Sequence, residues 1–144
     1  AVLGGKTREE IILAGYRRIL REDFTSRYSG RMINLHPSLL PLYKGLDTYR
    51  RVLQAGDSET GASVHFVTAG LDSGAVISQI RIPVLANDTV MSLRSRLAPL
   101  EHQLVLATVE LFCQHTIEYQ DEQVKFEGNF ISRPLLLEDD GSFH

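Results

Sequence analysis

The chain has 144 residues, 43% hydrophobic and 23% charged, with a net charge of −3 and one cysteine. That length suits one domain with a substantial core, and slight acidity without a long basic run argues against a nucleic-acid partner held through phosphates. No apolar run approaches a membrane span and the N-terminus lacks a signal-peptide pattern, so the reading is a cytoplasmic protein with Cys113 a buried thiol.

In chain order, Ala1 to Thr7 lacks the first glycine and the spacing of a phosphate-binding loop and reads as a turn capped into a short helix. Ile11-Ile12-Leu13, ending at Gly15, is a short apolar run of the buried-strand type. Glu22 to Ser29 predicts a short helix closed by Gly30, and Arg31 to Leu35 the next strand. Thr48 is a candidate cap for a helix to Ala55, stopped by Gly56-Asp57. Ser63 to Thr68 and Ala75 to Val84 read as strands, the second interrupted by Pro83. Asn87-Asp88-Thr89 supplies caps for the longest helix, whose Leu93, Leu97, Leu100, Leu104, Ala107 and Leu111 follow the helical period. Pro99 within it predicts a kink or a split. Gln123 to Glu127 is a candidate last strand, and Glu138 to His144 a solvated, frayed tail. Strands alternating with helices predict an α/β fold with an open, largely parallel sheet flanked by helices, in one domain over 1–144.

The chemistry concentrates in Asn34-Leu35-His36-Pro37. Side chains two apart on a strand share a side, and Pro37 ends the strand, so an amide and an imidazole face one point at its carboxyl end. Two such donors can stabilise an oxyanion, and a nearby carboxylate would favour the imidazolium. The same residues would also serve simply to satisfy backbone groups at a turn.

His36-Pro-Ser-Leu-Leu-Pro41 with Tyr43-Lys-Gly-Leu-Asp-Thr48 resembles the folate-dependent formyltransferases, and among them most the glycinamide ribonucleotide formyltransferases. Leu13 to Leu20, Gly61 to Val67 followed by Leu71-Asp72-Ser-Gly74, and Glu101-His102 continue the resemblance in order along the chain. It implies a Rossmann-like formyltransferase fold and transfer of a formyl group from 10-formyltetrahydrofolate, as co-substrate and without a metal, to the amine of glycinamide ribonucleotide in purine synthesis. Asn34 and His36 would stabilise the oxyanion, and Asp72 would keep His36 protonated and relay the amine proton. Folate would be held by Arg18, Ile19, Leu20, Thr68, Leu71 and Asp72, and Glu101 would meet the amine substrate.

Asp72 in Leu-Asp-Ser-Gly also fits a plain turn, and Glu101 a surface helix position. Arg17 and Ala69 depart from the family pattern, where Met and an acidic residue are usual. The family's glycine- and serine-rich phosphate-receiving turn has no counterpart here, so the resemblance implies a domain apparently truncated at its N-terminus. An open sheet edge would then invite self-association. Three readings stay open: the purine enzyme, a formyltetrahydrofolate hydrolase or a formyltransferase with another amine acceptor, and a non-catalytic folate-binding paralogue.

Overall fold

The computed structural model describes residues 2–4, 10–13, 32–68 and 74–144, with backbone alone at 2–4 and 10–13. The predicted helix Glu22–Ser29 and the candidate site residues Arg18, Ile19, Leu20, Leu71 and Asp72 lie outside the described residues.

Strands β1 (Val2–Gly4), β2 (Glu10–Leu13) and β3 (Met32–His36) are followed by helix α1 (Thr48–Ala55), then β4 (Glu59–Phe66) and β5 (Val76–Pro83). Helix α2 (Val90–Gln114) leads to β6 (Ile117–Gln120), β7 (Gln123–Phe126), β8 (Asn129–Phe130) and β9 (Leu135–Leu136). The main sheet has the order β1-β2-β3-β4-β5-β9, and β6-β7-β8 form a second, smaller one.

The α/β class holds, but the sheet is mixed rather than largely parallel. β2–β3 and β5–β9 pair parallel, while β1–β2, β3–β4 and β4–β5 pair antiparallel. Two causes are visible. Only nine residues, 67–75, join β4 to β5, fewer than the dozen or more that a parallel crossover takes. Eight-residue α1 is only ~12 Å long, too short to carry the chain back along an eight-residue strand. The predicted N-terminal turn is likewise corrected at Val2–Gly4, which extends along the outer edge of β2, while the short helix expected after it lies outside the described residues.

Cross-strand partners share a face. Ile33 faces Phe66 and Leu35 faces Val64, and this side joins Ala62, Ile77, Ile80 and Ile82 in a core closed by Leu93, Leu97 and Leu104 of α2. The alternate residues make the other side polar: Asn34 pairs with His65, and His36 with Ser63, which in turn pairs with Gln79.

Helix α2 begins in a capping box. Thr89 accepts from the Ser92 amide, and Ser92 Oγ accepts from the Thr89 amide. It runs unbroken through Pro99, which lies exposed while the buried stripe continues on either side. Cys113 is exposed, not buried. Nine residues beyond Leu104 is about half a turn around the helix, away from the core.

Helix α1 stops at Gly56 as its sequence predicts, with φ at 72°. Its N-cap, however, is Asp47; Thr48 is buried in the first turn, its hydroxyl without a hydrogen-bond partner. The C-terminal tail is not frayed. Leu136 and His144 exchange backbone hydrogen bonds of 3.1 and 3.0 Å, and Phe143 packs against the core.

Candidate active site

β3 ends at His36 because Pro37 has no N–H to continue the ladder. The chain turns at once, with the Ser38 amide donating to the His36 carbonyl at 2.9 Å. Asn34 and His36 share the polar face, as their spacing predicts, with Asn34 half-buried and His36 buried. His36 Nε2 lies 2.8 Å from the Tyr43 carbonyl oxygen. A carbonyl only accepts, so Nε2 carries the hydrogen of this bond. This bond engages Nε2 and fixes the orientation of the ring.

The segment after His36 folds over the polar face and is fixed from both sides. On the inside, Ser63 Oγ donates to the Ser38 carbonyl at 2.7 Å and accepts from the Leu40 amide at 3.0 Å. Gln79 Nε2 donates to the Leu40 carbonyl and to Ser63 Oγ, both at 3.0 Å. The Leu40–Pro41 peptide is cis. On the outside, Tyr43 Oη donates to Asp57 at 2.6 Å, and Arg51 donates to the Lys44 and Leu46 carbonyls. The Asp57 hydrogen bond, then burial, pushes the Tyr43 hydroxyl above its ordinary pKa. Tyr43 and Ser63 lie inside the stretches that carry the family resemblance, but none of these supports is among the candidate site residues named from the sequence. Their one sequence signal is polarity inside an apolar strand, at Ser63 and again at Gln79.

Asp72 and Leu71 lie outside the described residues, but the roots of their loop do not. The Phe66 amide donates to the Ala75 carbonyl and the Val67 amide to the Met32 carbonyl, both at 2.9 Å. A Cβ at Gly74 would stand 1.7 Å from the Phe66 carbonyl oxygen, so only glycine fits there. Thr68 is half-buried at this root, its Cγ2 3.4 Å from the same point.

Glu101, half-buried on α2, is engaged by α1: Tyr49 Oη donates to its Oε2 at 2.8 Å. The Arg94 guanidinium lies 5.4 Å from the centre of the Tyr49 ring. The structure thus brings Asn34 and His36 onto one face, sets Thr68 at the root of the neighbouring loop, and ties Glu101 to the helix that follows the His36 turn. Among the described residues no group of three or more His, Cys, Asp or Glu could hold a metal ion, and no helix is long and apolar enough to cross a membrane.

Residues 5–109 match the family model described as formyl transferase. The chain belongs to the formyl transferase family. Every candidate site residue falls inside that span. The phosphoribosylglycinamide formyltransferase of Haemophilus influenzae is 37% identical over 123 residues, which are 85% of this chain and 58% of that protein. A solved phosphoribosylglycinamide formyltransferase from Coxiella burnetii superposes with a TM-score of 0.79 at 43% identity, over 85% of this chain and 58% of that one. A formyltetrahydrofolate deformylase from Pseudomonas syringae reaches a TM-score of 0.71 at 25% identity, over 76% of this chain and 37% of that one. The chain therefore spans somewhat more than half the length of the formyltransferases it resembles.

Proposed function

We propose that residues 1–144 act as one formyltransferase domain, carrying the catalytic and folate-binding portion of an enzyme. It moves the formyl group of 10-formyltetrahydrofolate to the amine of glycinamide ribonucleotide, in the cytoplasm, as a step of purine synthesis. The observation that carries this is the pairing of Asn34 and His36 on one sheet face, with the imidazole oriented through Nε2 by the Tyr43 carbonyl.

The substrate amine attacks the formyl carbon, and the carbonyl oxygen becomes an oxyanion. The Asn34 amide and the His36 Nδ1–H donate to it, in the manner of an oxyanion hole. As the bond from the formyl carbon to the folate nitrogen breaks, the proton lost by the amine ends on that nitrogen. Asp72 pairs with the imidazolium and relays this proton. The loop that carries Asp72 is rooted beside β3, which supports this role. Arg18, Ile19, Leu20, Thr68, Leu71 and Asp72 hold the folate. Glu101, with one oxygen bonded to Tyr49, accepts from the substrate near its amine. No step in this scheme requires a metal.

The second reading is hydrolysis of the formylfolate, with water in place of the amine. The structural match to a formyltetrahydrofolate deformylase favours it. The higher identity to proteins named phosphoribosylglycinamide formyltransferase favours the first. The deciding assay gives the purified protein 10-formyltetrahydrofolate with and without glycinamide ribonucleotide. Formylated product that appears only with the amine supports the transferase. Formate released at the same rate in both arms supports the hydrolase. Folate binding with neither product would leave a non-catalytic binding protein.

A further inference from the structure

We propose that Ser63 and Gln79 are positioning residues for His36. From the polar face of the sheet they clamp the turn that follows the imidazole, and so hold its ring against the Tyr43 carbonyl.

Both side chains are buried, at 0% and 6% exposure, within strands whose other buried positions are largely apolar. Burying a serine hydroxyl and a glutamine amide is unfavourable unless their hydrogen-bonding capacity is used. Here it is used on the turn. Ser63 Oγ donates to the Ser38 carbonyl and accepts from the Leu40 amide and from Gln79 Nε2, which fills its donor and both acceptor positions. The two hydrogens of Gln79 Nε2 go to the Leu40 carbonyl and to Ser63 Oγ. Three backbone groups of residues 38–40 are thus satisfied by side chains rather than by a ladder or by water.

The clamp connects to the ring. Ser63 stands directly opposite His36, and Gln79 opposite Ser63. Ser38, whose carbonyl Ser63 holds, donates through Oγ to the Leu42 carbonyl at 2.6 Å. The next residue is Tyr43, whose carbonyl receives His36 Nε2. Loosening Ser38 or Leu40 therefore moves the carbonyl that accepts from the imidazole Nε2. The bond to Tyr43 favours the hydrogen on Nε2; weakening it lowers the share of the Nε2–H tautomer in the neutral ring, and with it the place of Nδ1 in the proton path. The catalytic consequence rests on the reading of His36 given under Proposed function, whereas the clamp itself does not.

The test uses the whole chain, labelled with ¹⁵N, as wild type, Ser63→Ala, Gln79→Met, Gln79→Glu and His36→Ala. Long-range ¹H–¹⁵N spectra read the tautomer of His36, thermal melting reads the fold, and formyl transfer gives kcat and KM. Wild type should show one Nε2–H tautomer above the pH of ring protonation. Ser63→Ala and the near-isosteric Gln79→Met should show a tautomer mixture and a kcat lower by about tenfold, the size expected from one lost hydrogen bond, with KM for the formyl donor unchanged.

In Gln79→Glu, kcat relative to wild type should rise as the pH falls and the protonated acid again donates to Leu40. A ratio that does not change with pH would assign the loss to packing and overturn the proposal. A folded Gln79→Met that keeps the single Nε2–H tautomer would also overturn it. His36→Ala separates the two readings: full turnover there removes the catalytic role of His36, while the tautomer spectra of the other variants still report on the clamp.

Discussion

The two faces of the β3–β4–β5 sheet are made from alternate residues of the same strands, yet they are built in opposite ways. Val64 and Ser63 are neighbours and both fully buried, but Val64 packs into the core beneath α2 while Ser63 holds a turn by hydrogen bonds. The apolar face gains about 25 cal/mol for each Å² removed from water, with little demand on direction. Phe66, edge-on to Phe112 at 6.0 Å and tilted against Tyr119 at 5.4 Å, is typical of it. On the polar face a hydrogen bond contributes only about 1 kcal/mol net, but it fixes distance and angle. The contrast teaches a division of labour: one face supplies stability, and the other spends burial on geometry around Asn34 and His36.

Substitutions that touch one face should therefore separate stability from turnover. The largest effect on stability is expected from Leu104→Ala, at a site with no exposed surface, which should cost about 2–5 kcal/mol in denaturant unfolding. Turnover per folded molecule should stay unchanged; a lower value would mean that the two faces are coupled. Gly74→Ala tests the border between them, since its Cβ would meet the Phe66 carbonyl at the root of the Asp72 loop. It should cost about 1–3 kcal/mol and should also lower turnover, unlike the core substitution.

The smallest effect concerns Asp88, beside the N-cap of α2 and outside the set of candidate site residues. Hydrogen bonds from Ser92, from the Leu85 amide and from Arg96 hold its carboxyl at about 2, below the ordinary 3.8. A depressed carboxyl contributes stability that is present above the unfolded value and is lost as the pH falls through the folded one. Asp88→Asn should therefore flatten the acid limb of the stability curve between pH 3.8 and about 2, read by thermal melting at each pH. Turnover at neutral pH should not change.

Much of this was legible in the sequence where the signal is local. Gly56 ends α1 and Thr89 begins α2 because a left-handed glycine and a capping hydroxyl act within one turn of their own position. The spacing of Asn34 and His36 placed them on one face for the same reason. Sheet direction was not legible, since whether α1 carries the chain back along the sheet depends on its length against the strands it joins. β6 escaped notice because Asp121 and Glu122 turn the chain at φ 53° and 61° without the glycine or asparagine that marks such turns. β9 depends on a partner some sixty residues earlier, Ser78 with Leu135, and no local pattern announces that pairing. Ser63 and Gln79 look like interruptions of apolar strands until the register brings them under residues 38–40. Burial of the polar face shows only once the turn has folded over it.

The most direct test of the central claim, that the polar face carries the chemistry, is the turnover of His36→Ala measured beside its melting temperature. Removal of one oxyanion donor typically costs on the order of 10²–10³ in turnover, and His36 lies outside the apolar core that α2 closes. The account predicts a loss of that size with a melting temperature close to wild type and formyl-donor binding retained. Near-normal formyl transfer by a folded His36→Ala protein would contradict it.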